Sequence, residues 1–193
     1  MSFVSILGRE NFLSVMSDGK LLGENNEVLQ EDYQNFINIG NSAFIAFAGS
    51  QGPCEELSVQ MLPYFDEKTD FAAIHQALVD FFKVDDPSQR DVKIMIAFGG
   101  INLEGRIEFY TIDSGTNTSE RYLPEGEDIK FCFLRSGELL TNLNVKGKMI
   151  ELLRTTGAGT PTECISAQKL LNDYAADHDA SVNKKTTRMV IKK

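Results

Sequence analysis

MSFVSILGRENFLSVMSDGK, residues 1–20, holds two apolar runs, Phe3–Leu7 and Phe12–Met16, joined by Gly8-Arg9-Glu10-Asn11. Short apolar runs around a Gly/Asn turn read as a β-hairpin. Ser2 stands directly before the first strand. If Met1 is removed, Ser2 carries a hydroxyl and an α-amine on adjacent carbons. An α-amine has a free pKa of about 8, so part of it is neutral near pH 7. Nucleophile and base then sit in one residue.

Outward from the hairpin, residues 23–33 are polar, acidic and turn-rich and read as a loop or a short excursion. Gln34–Gly40 and Ala43–Gly49 read as a second strand pair. Ala43–Ala48 is apolar on both faces, as in a strand covered on both sides. Pro53 sits near the start of a helix that runs to about Phe65. Asp70 is the expected N-cap of a second helix with Phe71, Ile74, Leu78, Phe81 and Phe82 as its stripe, and Asp85–Gln89 ends it. Val92–Phe98, Arg106–Ile112, Glu120–Leu123 and Ile129–Leu134 follow as strands. The period turns helical over Glu138–Thr155, marked by Leu139, Leu143, Met149, Ile150 and Leu153. It is helical again over Thr160–Asp177, marked by Ile165, Leu170, Leu171 and Tyr174, with Pro161 in the first turn. Thr186–Lys192 closes the chain as a strand.

Strands, two helices, strands, two helices and a strand, with no break in composition, predict one domain over residues 1–193. Helices are expected on the outer faces of two packed sheets, an α+β arrangement. The chain length is enough for a large core, and 42% hydrophobic with 24% charged residues is ordinary for a globular chain. A net charge of −9 argues against a nucleic-acid surface, which needs clustered Lys and Arg. Cys54, Cys132 and Cys164 form no CxxC pair and read as buried, reduced thiols of a cytoplasmic protein. The start lacks the pattern of a signal peptide, and no apolar run is long enough to span a membrane. His75 and His178 have no neighbours at ligand spacing, and the Gly pairs are not phosphate loops, so neither metal nor cofactor is expected.

With these elements in place, the chain resembles proteasome β-subunits and the related HslV-type peptidases, of the N-terminal-nucleophile hydrolase fold. Ser17-Asp18-Gly19-Lys20 is similar to that family's "A-D-x-R", at matching distance from residue 2. Ala46-Phe47-Ala48-Gly49 resembles its "A-F-A-G" strand end, Arg135-Ser136-Gly137 its "G-S-G", and Asp179 its Asp before the last strand. The resemblance implies a four-layer αββα sandwich. It also implies Ser2 as nucleophile, Asp18 as the orienting carboxylate, and the Gly49 N–H in the oxyanion hole. Ser136 and Asp179 would hold the amine. The substrate would be a peptide or small amide, and the chain would form homo-oligomers. A family Lys on the third strand has no counterpart here; its position falls on Asn35. A non-catalytic relative that self-assembles or binds partners is the alternative reading.

Overall fold

The computed structural model describes residues 2–23, 25–66, 69–83, 92–136, 140 and 142–193. In chain order the strands are β1 (Phe3–Arg9), β2 (Phe12–Asp18), β3 (Leu21–Leu22), β4 (Val28–Gln30), β5 (Phe36–Ile39) and β6 (Ala43–Gly49). Helices α1 (Gln51–Met61) and α2 (Phe71–Phe82) follow, then β7 (Ile94–Ile101), β8 (Ile107–Asp113), β9 (Thr118–Tyr122) and β10 (Lys130–Arg135). Helices α3 (Val145–Thr156) and α4 (Pro161–His178) precede β11 (Thr186–Lys192).

The opening hairpin forms as its pattern predicts, with Arg9 opposite Phe12 across the Glu10-Asn11 turn. It is the centre of an antiparallel sheet of order β10-β1-β2-β11. A second antiparallel sheet has the order β5-β6-β7-β8-β9. Alternation along each strand sends side chains to opposite faces, and each face finds its own cover. Val4, Ile6, Leu13 and Val15 meet Phe44, Ala46, Ala97 and Phe109 between the sheets. Phe3, Leu7 and Phe12 face the other way and pack with Met149, Cys164 and Leu171 of α3 and α4. Ile45, Phe47, Ile96 and Phe98 pack beneath α1 and α2. The result is the αββα sandwich. The sheets come so close at Gly8 that a Cβ there would lie 2.7 Å from the Phe109 ring.

Helix ends follow local chemistry. The Asp70 carboxylate accepts from the N–H groups of Ala72 and Ala73. Thr160 and Glu163 form a reciprocal capping box at α4, with Pro161 in its first turn. Several expectations need correction. The 23–33 stretch is not wholly loop, because Val28–Gln30 pairs back on Leu21–Leu22. Phe81 is 70% exposed rather than part of the α2 stripe. At about 100° per residue, Phe82 lies about 20° from Phe71 around the helix while Phe81 lies about 80° away. Ile150 and Leu170 likewise lie on outer flanks. Helix α3 runs from Val145, capped by Asn144, while Glu138, where the helical period is expected to start, lies outside the described residues. Residues 137–139 and 141, and the predicted break at Asp85–Gln89, lie outside the described residues. Among the described residues, no helix is long and apolar enough to cross a membrane.

One buried polar group ties a helix to the hairpin. Gln168 of α4 is fully buried; its Nε2 donates to the Ser5 carbonyl at 2.9 Å, and its Oε1 accepts from Ser14 Oγ at 2.7 Å. Replacing Gln168 by leucine keeps the volume but strands the Ser14 hydroxyl without its acceptor. The expected loss is about 2 kcal/mol, read as a lower urea midpoint with unchanged slope. A midpoint equal to wild type would show the amide to be dispensable.

Candidate active site

Strand polarity gathers one end of both sheets. The start of β1, the end of β2 and the end of β10 are neighbours because the sheet is antiparallel. The end of β6 and the start of β5 are neighbours in the other sheet for the same reason. Ser2, Asp18, Asn35, Gly49 and Ser136 stand at these strand ends.

Ser2 is buried. Its backbone nitrogen donates to Ser136 Oγ at 2.6 Å, and its carbonyl accepts from the Ser136 N–H at 3.1 Å. Its hydroxyl donates to Asn35 Oδ1 at 2.8 Å. Asn35 is 2% exposed and held on every side. Its Nδ2 donates to the Asp18 carbonyl at 3.3 Å, its N–H to Ser17 Oγ at 3.4 Å, and its carbonyl accepts from the Phe47 N–H at 3.0 Å. Asn35 was marked in the sequence only as the position lacking a lysine. Its bond to Ser2 spans 33 positions, a distance at which no local pattern signals a partner.

Asp18 is fully buried, and its carboxylate accepts from the Phe3 N–H at 2.9 Å and the Lys20 N–H at 3.1 Å. Burial pushes its pKa from 3.8 up to about 6, against the lowering by those backbone donors. Asp18 therefore braces the residue after Ser2 and can change charge near neutral pH. Gly49 has φ +124°, and a Cβ there would stand 2.2 Å from the Lys93 carbonyl oxygen, so only glycine fits this strand end. Ser2, Asn35, Ala48, Gly49 and Cys54 share the lining of a pocket of about 70 Å³. It adjoins a groove of about 650 Å³ between β3–β4 and the start of α1, through shared Leu22 and Gln51. A cleft of about 490 Å³ at the β9 and β10 edges includes none of the five residues at the strand ends.

Asp179 is placed differently. Its carboxylate accepts from the Ser181 N–H at 2.8 Å and closes the turn after α4. That turn packs on the Gly19-Lys20 segment, where Lys20 Nζ donates to the Ala180 carbonyl and the Gly19 N–H to Asn183 Oδ1. Asp179 thus adjoins the Asp18 side of the site. The cysteines are free and buried, as expected. Burial raises the Cys54 thiol to about 12, so in the Ser2 pocket it is neutral at pH 7 and a poor nucleophile. Among the described residues, no three His, Cys, Asp or Glu side chains converge to hold a metal ion.

The whole arrangement is similar to the solved structure of eukaryotic HslV from Trypanosoma brucei, with a TM-score of 0.67 over 99% of this chain and 99% of that one. The chain has the fold of HslV. This is the proteasome-like N-terminal-nucleophile hydrolase fold, and the likeness, at 17% sequence identity, is one of fold. No family model matches the sequence, and no curated protein matches it. The HslV fold agrees with the order of layers.

Proposed function

We propose that residues 1–193 form one N-terminal-nucleophile domain that hydrolyses amide bonds through Ser2 once Met1 has been removed. The observation that carries this reading is the anchoring of residue 2: its nitrogen on Ser136 and its hydroxyl on Asn35, beside Gly49 in one pocket. In this reading Ser2 Oγ attacks the substrate carbonyl carbon and its proton passes to the Ser2 α-amine. The Gly49 N–H donates to the developing oxyanion. The C–N bond breaks, the leaving amine takes the proton, and water then releases the acyl group by the same route. Asp18 holds the backbone after Ser2, while Ser136 and the turn of Asp179 support the amine. A peptide or small amide would approach along the groove that adjoins the pocket. The fold's likeness to HslV supports self-association of copies of this chain, with a cytoplasmic setting in keeping with free thiols.

A second reading rests on Asn35. A neutral amide in place of a cation beside the hydroxyl favours a non-catalytic chain that keeps the fold to assemble or bind partners. A β-lactone electrophile separates the two. Intact mass should show loss of Met1 and gain of one adduct, and peptide mapping should place that adduct on Ser2. Retained Met1 with no adduct supports the non-catalytic reading and overturns the first.

A further inference from the structure

We propose that Asn35 is a positioning residue that presents the Ser2 hydroxyl to substrate by a dipole rather than a charge; this rests on the hydrolase reading above. The orientation of its amide follows from its partners. The Asp18 carbonyl can only accept, so it must meet Nδ2, and Oδ1 is thereby turned to Ser2. In the resting site Ser2 Oγ points its single proton at Asn35 Oδ1 and turns its lone pairs to the pocket; on attack that proton leaves for the Ser2 α-amine. The backbone of Asn35 is itself pinned between Ser17 of one sheet and Phe47 of the other. With the backbone so held, the side-chain amide cannot turn without breaking its bonds to Asp18 and Ser2, and its acceptor stands at a set place. Three lysines of the neighbouring segments are engaged elsewhere: Lys20 with the Ala180 carbonyl, Lys184 with Asp177 and Lys185 with Glu31. Among the described residues, the hydroxyl is thus oriented by its hydrogen bond to Asn35, with no lysine ammonium bonded to it.

The test measures β-lactone inactivation as kinact and KI separately, on the trimmed full-length protein. Asn35→Ala should lower kinact about 10- to 100-fold with KI unchanged, the size expected when a reacting group loses its placement. Asn35→Gln displaces the amide by one methylene and carries the same expectation, should the alanine variant not fold. Asn35→Asp keeps an oxygen at the hydroxyl but loses the Nδ2 donor to the Asp18 carbonyl and brings a charge, so its kinact should fall as well. Wild-type kinact in the Ala and Gln variants overturns the proposal and leaves the hydrolase reading standing. An Asp variant at the wild-type kinact also overturns it, because a charged acceptor without the Nδ2 anchor would then serve as well. A wild-type protein that takes no adduct overturns both.

Discussion

Replacing Ser2 by alanine is expected to abolish the covalent adduct and to lower amide hydrolysis by on the order of 10³-fold or more. No other group in the pocket can substitute. The remaining lining is Leu21, Leu22, Asn35, Phe47, Ala48, Gly49, Gln51 and Cys54. Cys54 is the other intrinsic nucleophile there, and its thiol is held neutral by burial. The structural cost of the same change is small by comparison. Removing Oγ deprives Asn35 Oδ1 of its donor, which costs about 1–2 kcal/mol, while the Ser2 nitrogen keeps Ser136. The variant should fold, so loss of the adduct reports chemistry rather than unfolding. Intact mass after incubation with the electrophile decides it; an adduct on the alanine variant would locate the nucleophile elsewhere.

Asp18→Asn is expected to have the next largest effect, with opposite signs in stability and activity as pH changes. The folded-state pKa of about 6 lies above the 3.8 of the free group. The folded protein therefore holds this proton more tightly than the unfolded chain. The contribution to stability is fully present below about pH 4, is lost as pH rises through 6, and is flat above that. The interval from 3.8 to about 6 corresponds to about 3 kcal/mol. Asparagine does not titrate, so the wild type should lose about 3 kcal/mol relative to Asp18→Asn between pH 4 and pH 7, measured by urea unfolding at each pH. Activity should move the other way. A site that uses the ionised carboxylate slows as pH falls through about 6, and the protonated amine adds to the same acid limb. At pH 7, Asp18→Asn should lower acylation about 100-fold, because an amide cannot accept from both the Phe3 and Lys20 N–H groups. Equal wild-type and variant stability at all pH values would show that Asp18 has an ordinary pKa. A carboxylate kept charged in a buried place, at a cost to stability, is common where function needs the charge.

The elements of this fold were readable because each obeys a local rule. Alternation placed Val4 and Ile6 on one face of β1 and Phe3 and Leu7 on the other, and the two faces bury against different layers. The Thr186–Lys192 strand matches its expected bounds, and Asp70 caps α2 by the rule that named it. The short β3–β4 pair shows no period because its strands are only two and three residues long. Phe81 was misplaced because a run of two phenylalanines blurs which one faces the core. The candidate residues Ser2, Asp18, Gly49 and Ser136 follow from spacing within a resemblance, and tertiary structure brings them to one end of the sheets. Asp179 joins through a turn of its own, beside Asp18.

By itself, the order of apolar periods determined the two sheets and the helix pairs that cover them, since burial of each face leaves few other solutions. What only the tertiary structure decided is who touches Ser2. Its partners Asn35 and Ser136 lie 33 and 134 positions away: Ser136 is brought beside it by the pairing of β1 with β10 in one sheet, and Asn35 only by the packing of the second sheet against the first. Periodicity fixes the direction of a side chain along its own strand; the partner across the cleft is chosen by how strands of distant segments are brought end to end.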